Sequence, residues 1–130
     1  MKRRHLEDAA QAALFQWRAY AVAQYPELKL MFAVPNGGKR SIITASILKR
    51  TGVRKGVPDV WLPCQREKII DGIRCNMSGV VIEMKAPLGY VTPDQKWWLA
   101  ELNKAGWLAV VCHEWTEARD IIINYLAGPK

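Results

Sequence analysis

The sequence predicts a mixed α/β domain with a central sheet of four or five strands and helices on both faces. Apolar residues recur at helical spacing over residues 4–25, and residues 79–86 and 107–113 are short apolar runs typical of buried strands. Helical and extended segments follow one another in the order α-β-α-β-β-α-β-α. A length of 130 residues is suited to one domain, so we expect a single domain over 1–130.

The first half of the chain is predicted to hold two helices and two strands. Leu6, Leu14 and Trp17 fall on one helical face, and Ser41 can cap a second helix that Gly52 ends. The sequence PNGG between them is typical of a turn. In chain order the predicted elements are a helix over 4–25, a strand over 28–34, a turn over 35–38, a helix from Ser41 to about Arg50, and a strand over 58–63.

The second half is predicted to contain a hairpin or ordered loop, two strands and two helices. Thr92 suits an N-cap, with proline at the first helical position and Gln95 at the third. Gly106 then follows the end of that helix. In chain order the elements are a hairpin or loop over 64–79 turning at Asp71-Gly72, a strand over 79–86, a helix from Thr92 to about Ala105, a strand over 107–113, and a helix over 116–127.

Charge is distributed unevenly and favours a polyanionic partner. Residues 1–58 hold 11 Lys or Arg against 3 Asp or Glu, whereas residues 59–130 hold 8 against 9. Such a positive field attracts nucleic acid, although a solvated basic face is the simpler alternative. Six bases have no acid among them: Lys39, Arg40, Lys49, Arg50, Arg54 and Lys55.

Three cysteines and two histidines without ligand spacing give neither a disulfide framework nor a zinc pattern. No apolar run reaches the length of a membrane span, and the basic start lacks a signal-type core. We therefore expect an intracellular, cytoplasmic protein without a membrane partner.

The strand VVIEMKAP (80–87) carries the chemistry. Side chains alternate along a strand, so Glu83 and Lys85 share one face. An exposed salt bridge would explain the pair, but the length and apolarity of the strand favour a covered one. Asp59 begins the preceding strand and can meet Glu83 at one end of the sheet. Two close carboxylates, with the carbonyl of Met84, suit Mg²⁺, beside which Lys85 can steady a water nucleophile.

These motifs resemble a known nuclease family. GVPD followed about twenty residues later by EMK is similar to the PD-(D/E)XK signature, a restriction-endonuclease-like core. With an acidic first helix, PNGGKR, GVRKGVPD and TPDQ before a helix, nearly the whole chain resembles a stand-alone VRR-NUC domain. The resemblance implies a Mg²⁺- or Mn²⁺-dependent endonuclease leaving 5′-phosphates. Small phage and bacterial members are similar to homodimeric enzymes acting on four-way junctions, and fused members act on flaps.

The resemblance also assigns roles by position. Asp59 and Glu83 would be metal ligands, Lys85 the catalytic lysine, Glu7 the first-helix acid and Gln95 the glutamine after the core motif. Asp8 is the alternative to Glu7, and a capping box alone would explain Gln95. Phosphates would be engaged by Asn36, Gly37, Gly38, Lys39, Arg40, Lys49, Arg50, Arg54 and Lys55.

Other functions have less support. GGKRS invites comparison with a P-loop, but Ala33 and Arg40 stand where that pattern needs glycine and Ser or Thr. The six tryptophans can stack on unpaired bases, or fill a core or a subunit contact. Trp97 and Trp98 cannot share a helix face, so one is a candidate for a dimer interface or DNA contact. The alternative function is nucleic-acid binding on a nuclease-like fold without catalysis.

Overall fold

A computed structural model describes residues 2–35 and 42–129 and confirms the predicted order of helices and strands. Within those residues, no helix is both long enough and apolar enough to cross a membrane. The elements are α1 (Lys2–Ala21), a short 3-10 helix (Pro26–Leu30), β1 (Phe32–Ala33), α2 (Ile42–Arg50), β2 (Val60–Ile70), β3 (Ile73–Met84), α3 (Pro93–Lys104), β4 (Trp107–Cys112) and α4 (Trp115–Leu126).

The four strands form one mixed sheet in the order β1-β2-β3-β4. The first three run antiparallel, and β4 lies parallel to β3. Val60 pairs with Ile82 across β2 and β3, and Met84 pairs with Cys112 across β3 and β4. The middle strand β3 is therefore hydrogen-bonded on both sides, as the apolar run predicted.

The two faces of the sheet are covered differently. Val80, Ile82 and Met84 point into the main core, where Leu14 of α1 and Tyr125 of α4 are also fully buried. On the other face, the Asn103 side chain of α3 exchanges two hydrogen bonds with the backbone of Ala109 in β4 (3.0 and 3.2 Å). Glu83 and Lys85, by alternation, point to this second face.

Residues 28–34, predicted as a strand, are divided in the structure. Pro26 starts a 3-10 helix that ends at Leu30, and only Phe32 and Ala33 pair with β2. Arg18 of α1 stabilises the helical turn by donating to the carbonyls of Leu28 (2.7 Å) and Lys29 (3.0 Å). These tertiary hydrogen bonds outweigh the strand propensity of the apolar run.

The segment predicted as a hairpin or an ordered loop is a long hairpin. β2 and β3 pair from Val60↔Ile82 out to Ile70↔Ile73, with one irregularity between Pro63 and Arg66. Asp71 (φ 51°) and Gly72 (φ 77°) both have positive φ, which is the geometry of a tight two-residue hairpin turn. The hairpin thus joins the Asp59 region to the Glu83 region through antiparallel pairing that one irregularity interrupts.

The helix α2 is the most exposed helix of the fold. It has no buried residue, and Ile42 and Ile43 are largely exposed. Gly52, just beyond its end, has a positive φ (103°), as the predicted helix stop requires. The predicted cap, Ser41, lies outside the described residues.

Candidate active site

Glu83 and Lys85 are buried together at the end of β3. Their side chains are 3% and 9% exposed, and Lys85 Nζ lies 3.6 Å from Glu83 Oε2. The backbone N–H of Lys85 donates to the carbonyl of Cys112 (2.8 Å), so β4 fixes the strand end that carries them. The pair is therefore a covered one, and the alternative of an exposed salt bridge is wrong.

Asp59 lies one residue before β2, on the same face and at the same end of the sheet as Glu83. Its Oδ2 accepts a hydrogen bond from the backbone N–H of Met84 (2.8 Å). The neighbouring backbone pairing of Val34 N–H with the Asp59 carbonyl (2.8 Å) fixes its main chain from the β1 side. The carboxyl groups of Asp59 and Glu83 come within hydrogen-bonding reach of each other, which is the convergence that the sequence predicted.

The electrostatics of the two acids disfavour two negative charges. The pKa of Glu83 is raised to about 9, first by burial and then by the negative charge of Asp59, against the lowering effect of Lys85. Burial also raises the pKa of Asp59, while its hydrogen bond from Met84 lowers it. The pair therefore holds a proton strongly, or exchanges that proton for a cation that neutralises both oxygens.

One oxygen of Glu83 has no hydrogen bond. Oε2 accepts from Gln95 Nε2 (3.2 Å) and faces Lys85, but Oε1 is buried and accepts no hydrogen bond from any residue that the structure describes. A buried, unsatisfied carboxylate oxygen is costly unless a proton shared with Asp59 or a bound cation satisfies it. Hard oxygens in small number, with water completing the shell, fit Mg²⁺ or Mn²⁺.

Gln95 takes part in the helix cap and in the site at once. Its backbone N–H donates to Thr92 Oγ1 (3.3 Å) and its Oε1 accepts from the Thr92 N–H (2.9 Å), which completes the predicted capping box. The remaining amide hydrogens on Nε2 are then free to donate to Glu83. The two explanations of Gln95 that the sequence left open are therefore compatible.

The first helix brings an acid near this pair. The negative charge of Asp8 raises the pKa of Asp59, so the Asp8 carboxylate is close enough to act on the site through its charge. Glu7 is half-buried on the neighbouring position of α1. Among the described residues, no three His, Cys, Asp or Glu side chains converge into a metal-binding group, so the structure itself joins only two acids closely.

The basic residues predicted to meet DNA lie in α2 and the loop after it. Lys49 and Arg50 occupy the last turn of α2 and are exposed, as are Arg54 and Lys55. The loop leads along the chain to Asp59, which lies four residues after Lys55. The other predicted phosphate-binding residues lie outside the described residues: Asn36, Gly37, Gly38, Lys39 and Arg40.

Two arrangements were not predicted from the sequence. The Arg54 guanidinium lies over the rings of Trp97 and Trp98, 43 positions or more away in the chain, so no local spacing signals the contact. Arg66, within the charged stretch QREK, is buried and bonds to Glu27, to the carbonyl of Leu126 and to Cys64 Sγ. It resembles a solvated charge in sequence but links β2 to α4.

Comparison with known proteins agrees with this architecture. The family model of the VRR-NUC domain matches residues 4–115. A solved structure described as a VRR_NUC domain protein superimposes with a TM-score of 0.75 at 24% identity, covering 95% of this chain and 90% of that chain. No curated protein matches the chain. The matched span includes all the residues of the acidic pair, the lysine and Gln95.

Proposed function

The chain belongs to the VRR-NUC domain family, a nuclease-type family, and on that premise we propose that it is a metal-dependent DNA endonuclease. The observation that carries the proposal is the pairing of partly buried Asp59 with buried Glu83, whose Oε2 faces Lys85 and whose Oε1 is unsatisfied among the described residues. A structural salt bridge requires one acid and one base. Here a second acid is added, which destabilises the pair unless a cation or proton is bound.

Asp59 and Glu83 would hold Mg²⁺ or Mn²⁺, with the Met84 carbonyl as a further oxygen. In an extended strand the N–H and C=O of one residue point to the same side. The Met84 N–H points to Asp59, so its carbonyl lies on that same side of β3. When bound, the ion supplies a water of lowered pKa and polarises a phosphoryl oxygen.

Lys85 and Gln95 would organise the atoms around the acids. Lys85 Nζ, an ammonium with three hydrogens, can donate to the attacking water or to a phosphate oxygen from its buried position. Gln95 holds Oε2 of Glu83, which leaves Oε1 directed to another ligand. Proton movement from the water would then be completed by solvent or a substrate phosphate oxygen.

A first-helix carboxylate would complete the site. Asp8 acts electrostatically on Asp59, and Glu7 occupies the position that matches the family's first-helix acid. Either acid can bind an ion through a water, because Mg²⁺ keeps several waters in sites of this kind. Separate Glu7→Gln and Asp8→Asn variants would identify the one whose loss weakens ion binding.

DNA would be held by the basic residues on the approach to Asp59. Lys49, Arg50, Arg54 and Lys55 are exposed and can neutralise phosphates, and the proposal retains Asn36, Gly37, Gly38, Lys39 and Arg40 as further phosphate contacts. The proposed substrates are branched DNAs, four-way junctions or flaps, as in DNA recombination and repair within a bacterial or phage-infected cytoplasm. Symmetric cutting of a junction needs two active sites, so we also propose a homodimer, which light scattering at micromolar concentration would detect.

The test is a cleavage assay on linear, flap, single-stranded and four-way DNA with Mg²⁺ or Mn²⁺. Wild type should cut at least one branched DNA. The cleavage rates of Glu83→Gln and Lys85→Met should be lower by a factor of about 100 or more. Glu101→Gln, at the far end of α3 and paired with Lys104, is the matched control and should cut normally. No cleavage by wild type, or normal cleavage by Glu83→Gln, would refute the nuclease.

The alternative is DNA binding without catalysis. It predicts that DNA affinity falls with salt, does not depend on a metal ion and is unchanged in Asp59→Asn. The unsatisfied Oε1 of Glu83 favours the enzyme, because a binding protein gains nothing from a buried pair of acids that repel each other.

A further inference from the structure

A groove lies between the loop that precedes Asp59 and the first half of α3. Its volume is about 920 Å³, and it runs against the last turns of α2. Three cations and one acid line it, so its net charge is positive. The lining residues that matter here are Lys49, Arg54, Lys55, Asp94, Trp97 and Trp98.

Aromatic rings and a guanidinium form one wall of this groove. The rings of Trp97 and Trp98 are nearly perpendicular (87°), with centroids 5.2 Å apart, and Arg54 lies 5.7 and 5.0 Å from their centres. Trp98 is fixed by a hydrogen bond from its Nε1 to the carbonyl of Lys55 (2.9 Å). Trp97 remains 51% exposed, which leaves a large part of the ring open to the groove.

The loop and the first turn of α3 connect the groove to the acidic pair. A methyl group on Gly56 would come within 2.8 Å of Asp94, so the loop and the start of α3 are in direct contact. Three residues after Gly56 the chain reaches Asp59, and one residue after Asp94 it reaches Gln95, which bonds Glu83. A nucleotide in the groove would therefore be adjacent to a phosphate at the site.

We propose that this groove binds an unpaired nucleobase of DNA next to the cleaved phosphate, with Trp97 as the stacking surface. Lys49 and Lys55 would face phosphates of the same strand, and Arg54 would offer its planar guanidinium to the base. Bases inside a duplex have both faces stacked, so only single-stranded or branched DNA can use such a surface. The inference rests on the proposed function and specifies its substrate class.

Charge favours this ligand over a second copy of the chain. A two-fold dimer formed through the groove would set the same patch against itself. Lys49, Arg54 and Lys55 would then face the same set of cations on the other copy, and like charges across an interface repel each other. A negatively charged strand with an aromatic base complements both the cations and the ring.

The test measures DNA binding in EDTA, where no metal-dependent cleavage takes place. Fluorescence anisotropy would compare a labelled single-stranded oligonucleotide with a blunt duplex of the same length. Trp97→Ala should weaken single-strand binding about 5- to 100-fold and duplex binding less than twofold. Trp97→Phe keeps a ring and should recover most of the affinity. Tyr20→Ala, an exposed aromatic on α1, is the matched control and should bind like wild type.

A flap with one abasic nucleotide at its branch tests the base directly. Wild type should bind the abasic flap more weakly than the unmodified flap. Trp97→Ala should bind the two flaps with nearly equal affinity, because both changes remove the same contact. Three results with Trp97→Ala would each overturn the inference. The variant would bind single-stranded DNA normally, lose equal affinity for single strand and duplex, or be a monomer where wild type is a dimer. A wild type that binds this way but cuts nothing would refute the nuclease and leave the groove intact.

Discussion

Glu83 links the chemistry of the site to the stability of the fold. Its raised pKa means that the folded protein binds a proton more tightly than the unfolded chain between pH 4.5 and about 9. In that window the folded state loses stability as pH rises, because ionising Glu83 costs more in the protein than in water. A cation that replaces the proton would remove this cost and would bind better at higher pH.

We therefore predict that Mg²⁺ raises the melting temperature more at pH 8.5 than at pH 6. An ion at 100 times its Kd stabilises by about 2.7 kcal/mol, and at pH 6 the proton on Glu83 competes with it. Glu83→Gln without metal should melt higher than wild type at pH 8.5, since glutamine keeps the shape and cannot ionise when the chain unfolds. Differential scanning fluorimetry measures both, and an equal Mg²⁺ response in Glu83→Gln would contradict the assignment of the ligand.

The acidic pair could be predicted at this scale because strand alternation fixes which side chains share a face. The prediction that Glu83 and Lys85 share a face needed only that rule. The prediction that Asp59 lies near Glu83 needed only that the two strands pair. The contact of Arg54 with Trp97 depends on the path of a loop across α3, and no periodicity encodes such a path. Arg66 was missed for a similar reason, since its partners Glu27 and Leu126 are distant in sequence.

The first turn of α3 serves as a helix cap and as a support for the site. Thr92 and Gln95 form reciprocal hydrogen bonds, and only Gln95 extends to Glu83. Loss of the cap and loss of the support can therefore be separated by comparing the two residues.

Thr92→Ala and Gln95→Ala should have similar effects on stability and different effects on activity. Each removes part of the capping box, which typically costs about 1 kcal/mol. Only Gln95→Ala also frees Glu83 Oε2, so we expect a clear loss of cleavage rate and of metal affinity in that variant alone. Urea unfolding and single-turnover cleavage distinguish the two, and equal cleavage by both variants would show that Gln95 only caps the helix.

Element boundaries were predicted best where a local signal marks them. The cap at Thr92 and the turn at Asp71-Gly72 are short-range hydrogen-bond and backbone features, and both are present in the structure. The predicted strand over residues 28–34 was wrong in its first half, because Arg18, ten positions upstream of Leu28, donates to carbonyls that a strand would have paired. For residues 64–70 the sequence left a hairpin and an ordered loop as alternatives, since QREK lacks the apolar pattern of a strand.

At the scale of the whole molecule, the positive charge is concentrated before Asp59. Four of the described cations before Asp59 lie in α2 and its following loop and are exposed to solvent: Lys49, Arg50, Arg54 and Lys55. DNA bound by such residues releases counterions, so its affinity must fall with salt.

We predict a plot of log affinity against log NaCl concentration with a slope of about −4 or steeper, if all four described cations engage duplex phosphates. Arg50→Ala should reduce the steepness by about 1. Lys104→Ala, paired with Glu101 at the opposite end of α3, should leave it unchanged. Anisotropy titrations in EDTA from 50 to 200 mM NaCl provide the measurement, and an unchanged slope for Arg50→Ala would place DNA on another surface.

In the hairpin of β2 and β3, the turn lies at the opposite end from the acidic pair. Asp59 and Glu83 are fixed by the pairs nearest Val60, whereas Asp71 and Gly72 turn at the distal tip, where Ile69 and Ile73 are exposed. A peptide tag or a fluorescent label inserted at that tip would extend the ribbon outward without changing the residues around the acids. A single-residue deletion within β3 would instead rotate Glu83 to the opposite face of the sheet.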